Sequence, residues 1–448
     1  MSTSGDAKRI RVAIIGGGIT GVILALGLQK RGIDYVLYER ASAFTESGAG
    51  IGFSPNAERA LPVVDPEVYR VYKQVAPTTD GEEFFQWVDG YKSNELAARL
   101  SIGIDSFQGG RRSDFLEAWS TLIDENKVKF GKSIVSATQN DDGEVSLEFA
   151  DGTTGKADIV IGCDGIRSRV RQLILGEENP ASYPTYTKKY CFRAVVPIDK
   201  ARAVLGEDRT IGSGDTLNRL MYIGPGAHVI TYPVAKGKFL NILLVMSDPN
   251  PWSTSDGKHT APGSKTDAIR ALEDWHPFVR AIIDPLPDEL QKWAIFDMFD
   301  HPAPRYNLGR MAIAGDAAHA AGPHLGSGAG FGIEDALVLA SLLEAVNTTL
   351  ESQTSKTKIE LCQAALVAYN NVRYDRTQWL VGASRRTCAL FHWEDPEIGG
   401  DFEKFQLEVS KLFHQIWDND ILEMVRGALV NFDEVLDEKP RENTWLPN

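Results

Sequence analysis

The stretch VAIIGGGITGVILALGL, Val12–Leu28, constrains this chain more than any other. A membrane-spanning helix needs roughly 20 apolar residues. This run is shorter, its first half is rich in β-branched residues, and Gly16, Gly17 and Gly18 interrupt it. Glycine permits a tight turn that other residues resist. The reading that fits is a strand over Arg11–Ile15, a turn at Gly16–Gly18 and a helix from about Thr20 to Arg31. Gly16, Gly18 and Gly21 then fall on G-x-G-x-x-G, and the strand–turn–helix context gives that weak pattern its weight. The next strand, DYVLYER, ends at Glu39, where a carboxylate is placed for a ribose hydroxyl. The free N–H groups of the helix N-terminus suit a pyrophosphate. An ordinary βαβ unit can also carry a glycine turn, but it gives Glu39 no reason.

A chain of 448 residues suggests two or three domains. Its 43% hydrophobic and 24% charged content is ordinary for a soluble globular protein. A net charge of −14 argues against nucleic acid or an anionic membrane as the main partner, and says little about a small substrate. MSTSGDAKRIR lacks the apolar core and cleavage site of a secretory leader, so a soluble, cytoplasmic protein is expected. Cys163, Cys191, Cys362 and Cys388 are too scattered for a metal cluster or a disulfide framework, which points to reduced thiols.

After AGIGFSPNAERAL no regular alternation of strand and helix is read. RRSDFLEAWSTLIDEN, 111–126, reads as a helix capped by Ser113. EVSLEF alternates like an antiparallel strand, and ADIVIGCDG reads as a buried one. Between 181 and 292, YCFRAVVPI, RLMYIG, HVITYPVA and KFLNILLVMS read as strands, with helical text at 265–283. A strand over Met311–Ala314, a glycine-rich loop and a helix through Glu334–Val346 follow. TTLESQTSKTK, 348–358, is a polar loop and a candidate for disorder; beyond 359 the pattern is helical and amphipathic. The expected class is α/β: a Rossmann-like nucleotide-binding domain (1–75, 102–180 and 293–370), an inserted, mostly antiparallel β-sheet substrate domain (76–101 and 181–292) and a C-terminal helical region (371–448).

Three motifs belong together: Gly16–Gly21 with Glu39; Cys163-Asp164-Gly165-Ile166-Arg167-Ser168-Arg169-Val170-Arg171; and Gly315-Asp316-Ala317-Ala318-His319, followed by Ala320-Ala321-Gly322-Pro323. In this order they resemble the single-component aromatic flavoprotein monooxygenases, the group of p-hydroxybenzoate and salicylate hydroxylases, over roughly residues 10–390. The resemblance implies an FAD-binding domain holding bound FAD. NADPH or NADH would visit transiently, in keeping with the lack of a second G-x-G-x-x-G. It implies Gly16, Gly18, Gly21, Glu39, Gly52, Arg112 (in RRSDF), Asp164, Asp316 and Ala329 as cofactor-site residues. The chemistry agrees: a ribityl hydroxyl is a donor and the Asp316 carboxylate an acceptor. Gly322, Gly326, Gly328 and Gly330 leave room for a flat ring, and the N-terminus of the following helix suits its negative edge. Blander roles compete. Asp316 can cap a helix, at least one of Arg167, Arg169 and Arg171 fits a surface ion pair, and His319 and His324 fit packing or capping.

YCFRAVVP, HVITYPVA, the FQWVDG run and RTQWLVGASRR look like a fungal subgroup of polyketide-pathway hydroxylases. Those enzymes hydroxylate resorcinol-type aldehydes or ketones at a substituted carbon and dearomatise the ring. An electrophilic oxygen needs an electron-rich partner, and a phenolate is far better than a phenol, so a cation or strong donors are expected beside it. The resemblance implies that Arg193 and Tyr232 orient and ionise the phenol, from strands where an inward side chain is held rigidly. Otherwise Arg193 is a surface arginine and Tyr232 a core tyrosine with a wet tip. The expected partners are a small phenolic substrate and O2, with no metal, nucleic acid or membrane segment. Three other functions fit some of the motifs: a decarboxylating salicylate-type hydroxylase, an FAD-dependent dehydrogenase or oxidase, and an FAD-binding protein without activity.

Overall fold

The computed structural model describes residues 9–44, 50–76, 82–103, 107–206, 219–234, 237–252, 258–352 and 354–438. Most of the N-terminal MSTSGDAKRIR therefore lies outside the described residues.

The opening segment folds as its glycines require. β1 (Arg11–Ile15) enters the turn, and α1 (Ile19–Lys30) leaves it. Gly16 sits at φ +107°, where side chains are strained, and a Cβ there would strike the Cys163 carbonyl oxygen. A Cβ on Gly21 would strike the Gly16 carbonyl oxygen, so α1 packs directly on the turn. β1 lies inside a six-stranded sheet. Its order is β18 (Asn307–Leu308), β19 (Met311–Ile313), β11 (Ile159–Gly162), β1, β2 (Asp34–Tyr38) and β7 (Val128–Lys129). All pairings are parallel except β18 with β19. The Val- and Ile-rich strands β1 and β11 are buried on both faces, as parallel strands under helices must be. β3 (Gly50–Phe53) pairs with β6 (Gln108–Arg111), and β8 (Ile134–Gln139), β9 (Val145–Phe149) and β10 (Thr154–Ala157) form a small antiparallel layer.

The larger sheet has eight strands among the described residues. Its order is β16 (Thr260–Ser264), β17 (Glu289–Asp297), β12 (Thr185–Pro197), β15 (Phe239–Ser247), β14 (Ala227–Val234), β13 (Arg219–Gly224), β4 (Glu83–Asp89) and β5 (Leu96–Gly103). Only β4 and β13 run parallel. Tyr190, Phe192, Tyr222, Val229 and Leu244 pack beneath α6 (Ile198–Leu205), α7 (Lys265–Ala271) and α8 (Pro277–Ala281). Strand parity therefore sends Cys191, Arg193, His228, Ile230 and Tyr232 to the opposite face.

Several helices differ from their sequence reading. α2 (Pro55–Val64) and α3 (Pro66–Val75) lie where no helix was read. Proline at each first position and the Asp65 carboxylate accepting from Glu67 N are the start signals that were available. α4 (Arg112–Ser120) is shorter than expected, and Arg111, not Ser113, is its N-cap. α10 (Gly328–Glu351) begins before Glu334 because its glycines let it pack closely: a Cβ on Gly332 would strike Thr20 Oγ1 on α1. It also continues through Thr348–Glu351, which the sequence had assigned to a loop. Gln353 lies outside the described residues, and a Thr357–Glu360 capping box then starts α11 (Lys358–Phe391). α11 runs unbroken across the 370/371 division. α5 (Arg169–Leu175), α9 (Asp316–His319), α12 (Phe402–Trp417) and α13 (Ile421–Asp437) complete the α-helices among the described residues. Among the described residues, no helix is long and apolar enough to cross a membrane.

Candidate active site

Two helix N-termini face the glycine-rich segments. α1 starts at Gly18 with no side-chain cap and no acidic residue in its first turn, so its N–H groups and positive end are open to a diphosphate. Glu39, just past β2, accepts from Gly17 N at 2.6 Å and Ala41 N at 2.7 Å, which fixes its carboxylate beside that turn. Arg112 opens α4 directly after β6, whose register pairs Arg111 with Gly50. Gly52, on β3, lies against the ring of Phe107.

The Asp164 carboxylate does something more specific than the motif implied. It accepts from Ser168 Oγ at 2.5 Å, Arg169 N at 2.7 Å and Val170 N at 3.1 Å, and so holds the start of α5. Its backbone packs on Gly16. Burial pushes its pKa up against those hydrogen bonds. The arginines nearby separate. Arg169 is a surface partner of Glu177, and Arg167 donates to His259. Arg171 is fully buried and donates to the carbonyls of Ala181, Ala317 and Ala318. Burial lowers its pKa to about 10, since a guanidinium held only by carbonyls has no countercharge.

At the other end, Asp316 is exposed while Met311–Gly315 before it and Ala317–Ala320 after it are buried. Its Oδ1 lies 3.9 Å from where a Cβ on Gly328 would stand. α10 starts there with no side-chain cap and no acid in its first turn, and Ala329 is its second residue. Behind it is a buried ion network. Asp335 accepts from Gly315 N (2.9 Å) and Arg373 Nε (2.7 Å) and bonds His319 Nε2 (2.6 Å). Glu334 accepts from Arg373, Arg376 and Asn56. Burial would raise both carboxyls, but His319 and Arg373 outweigh it at Asp335, and Arg373 with Arg376 at Glu334, holding both low.

On the eight-stranded sheet, register decides which side chains share the face opposite α6–α8. Arg193 pairs with Leu243, and Leu243 with Ile230; one step on, Val195 pairs with Asn241, and Asn241 with Tyr232. Arg193 and Tyr232 are thus diagonal neighbours across β15, on one face. The Tyr232 hydroxyl reaches the backbone of Gly50 on β3. Burial raises its pKa, opposed by the charges of Arg193 and Arg219. Arg219 itself is held by Glu83 at 3.1 and 3.2 Å, with its guanidinium 5.9 Å from the Phe107 ring centroid.

The comparisons agree with these features. A family model described as "FAD binding domain" matches residues 114–357. The chain is 48% identical over 434 residues to the FAD-dependent monooxygenase pigN of Monascus ruber, covering 95% of this chain and 98% of that one.

The chain belongs to the FAD-dependent monooxygenases.

This monooxygenase is also 45% identical over 440 residues to the FAD-dependent monooxygenase azaH of Aspergillus niger, covering 95% and 97% of the two chains. A solved salicylate hydroxylase substrate complex superposes with a TM-score of 0.81 at 29% identity, over 94% of this chain and 98% of that one. The monooxygenase's own residues fit FAD: two uncapped helix N-termini, Glu39 at one end and the exposed Asp316 carboxylate at the other.

The Arg193 side chain is exposed, not enclosed; its guanidinium is 5.8 Å from the Trp293 ring centroid, and among the described residues no carboxylate pairs with it. Arg219 was missed, because RLMYIG gives no sign of a partner at Glu83. The ion network was also missed, although two acids inside the apolar run GFGIEDALVLA signal buried cationic partners. All four cysteines are free and buried, and Cys388 lies beside His228 and His392, a grouping no spacing revealed.

Proposed function

We propose that this monooxygenase hydroxylates a phenolic, resorcinol-type polyketide ring with O2 and NADPH or NADH, leaving the ring dearomatised, in fungal secondary metabolism. One observation carries the reading: Arg193 and Tyr232 share a sheet face, and the Tyr232 hydroxyl ends against β3, the strand that carries Gly52. FAD held by the Gly16–Gly21 turn, Glu39 and Asp316 would supply an electrophilic oxygen atom from O2, with NADPH or NADH as the reductant.

The chain's part is to prepare the ring. The Arg193 guanidinium pairs with the substrate oxygen as phenolate, and Tyr232 O–H donates to it, so charge is held where the phenol loses its proton. Electron density then rises at the ring carbons ortho and para to that oxygen. When the attacked carbon bears an alkyl group that cannot leave, aromaticity is not restored. When it bears a carboxylate, CO2 leaves and a catechol forms. The likeness to salicylate hydroxylase supports this second outcome.

Purified holoenzyme with NADPH or NADH in air, given an alkylated dihydroxybenzaldehyde or a salicylate, separates the two. A dearomatised product from the aldehyde, identified by mass and NMR, supports the proposal. A catechol from salicylate alone, or peroxide with no hydroxylated ring, defeats it.

A further inference from the structure

Cys388 and His392 stand four residues apart at the end of α11. His392 is its C-cap, and His392 N donates to the Cys388 carbonyl at 2.9 Å. That spacing turns both side chains to one face of the helix, as in helical metal sites with ligands at i and i+4. His228 of β14, 164 residues before His392, meets them there. The Cys388 sulfur and one nitrogen from each imidazole lie within 4.8 Å of one another. Cys388, His392 and His228 are 4%, 1% and 0% exposed. Among the described residues no other histidine, cysteine and carboxylate side chains gather in this way.

The surroundings orient these groups as ligands. A carboxylate only accepts, so Ser247 Oγ donates to Glu394, at 2.8 Å, while it accepts from Lys189 at 2.6 Å. Towards His392 Nδ1, 3.1 Å away, the hydroxyl oxygen must therefore accept. His392 then carries its proton on Nδ1 and leaves Nε2 bare. A second nitrogen tied towards a carboxylate is the usual outer support of a metal-binding imidazole. His392 Nε2 now accepts from His228 Nδ1 at 2.8 Å. His228 Nε2 is buried without a hydrogen-bond partner, so moving the ring proton there breaks no bond on that side. Burial holds both imidazoles below the usual histidine range, so neither opposes a metal as a cation. The Lys189 ammonium is paired with Glu394 at 2.7 Å. α11 has no basic residue in its last turn, and the negative end of this 34-residue helix favours a cation.

We propose that Cys388, His392 and His228 bind a divalent ion of the zinc class and so tie the end of α11 to β14. A thiolate with two imidazoles is a donor set for Zn2+ and not for Mg2+ or Ca2+, which take oxygen. An ion with tetrahedral bonds of about 2.0–2.3 Å sets its ligand atoms about 3.3–3.6 Å apart, so the two nitrogens part by about 0.5 Å from their hydrogen bond. The Cys388 S–H bond breaks, its electron pair forms the bond to the metal, and one proton is released to water. The His228 proton moves from Nδ1 to Nε2, and Nδ1 turns to the ion. His392 keeps its Nδ1 proton towards Ser247, and a water fills the fourth position. Two hydrogen bonds lead from His392 to Glu394, whose side chain is 41% exposed, so the site lies a short way from solvent.

The test titrates Co2+, a spectroscopic stand-in for Zn2+, as the metal alone into chelator-washed, oxidised holoenzyme under nitrogen. Thiolate-to-Co2+ charge transfer and intense ligand-field bands to the red of the flavin absorption are expected, saturating at one Co2+ per chain. Zn2+ should erase them. Cys388→Ser should lose the charge-transfer band, and His392→Gln should weaken Co2+ binding at least about tenfold. Ser247→Ala leaves all three ligands in place, so it should keep the band and weaken binding about tenfold. It covers the case in which a buried variant fails to fold. Zn2+ should also raise the melting temperature of the wild type and leave that of Cys388→Ser unchanged. A wild type without the charge-transfer band overturns the site. So do weak octahedral Co2+ bands that persist in Cys388→Ser, which would place the ion adventitiously on surface carboxylates.

Discussion

The His319 imidazole and the Asp335 carboxylate meet at 2.6 Å, 1% and 0% exposed. The same carboxylate holds Gly315 N, one residue before Asp316, and is braced by Arg373. The loop that presents an exposed carboxylate is thereby anchored in the driest part of the molecule.

Removing one partner from this network leaves a buried charge uncompensated. Asp335→Asn or Arg373→Met is expected to cost about 3–5 kcal/mol, read by urea denaturation, and to reduce FAD content as Gly315 loosens. An unchanged midpoint with full FAD content would contradict the anchoring role.

The network also sets an acid limit. Glu334 and Asp335 have folded-state pKa values below their ordinary ones, so their contribution to stability is present above the unfolded values, roughly 4, and is lost as pH falls through the folded values. Thermal melts should fall steeply below about pH 4, and less steeply in the Glu334→Gln/Asp335→Asn double variant.

Gly332→Ala drives a methyl into Thr20 Oγ1 and should destabilise by about 1–3 kcal/mol. Thr20→Ala removes the struck atom. In a double-mutant cycle the pair should therefore cost less than the sum of the singles, and simple additivity would show that α1 and α10 are not in direct contact there.

Asp316→Ala changes an exposed side chain, so the apo-protein midpoint should move by no more than about 0.5 kcal/mol. FAD affinity should fall about 10- to 100-fold in a fluorescence titration, the worth of one hydrogen bond to a charged acceptor. Equal affinity would remove Asp316 from the cofactor site.

Arg193→Lys keeps the charge and loses the planar fork; Tyr232→Phe loses one donor. Both should retain FAD. Hydroxylation should drop most in Arg193→Lys, with nicotinamide oxidation diverted to peroxide. Normal product yield in Arg193→Lys would refute its role.

The Gly16–Gly21 turn was legible because its constraint is local: backbone clashes there depend on residues close in sequence or fixed by the strand next door. Strand parity in YCFRAVVP and HVITYPVA was legible for the same reason. Arg171 was not, since only the fold decides that its guanidinium meets the Ala317 and Ala318 carbonyls and not solvent. The glycine-rich start of α10 read as loop because low helix propensity was visible while its compensation, contact with Thr20 on a distant helix, was not. Arg193 followed its strand correctly, but exposure depends on what lies above the sheet, which no strand pattern encodes.

α11 is one helix of 34 residues with anchors along its length. Tyr369 bonds the Ile313 carbonyl in the nucleotide sheet, Arg385 grips Asp297 and Asp300 at the end of β17, and His392 touches β14. It therefore acts as a ruler between the two sheets, graduated at about 1.5 Å and 100° per residue. One alanine inserted between Arg376 and Arg385 would throw the far anchors out of phase, and both sheets could keep their own folds while losing their mutual registration.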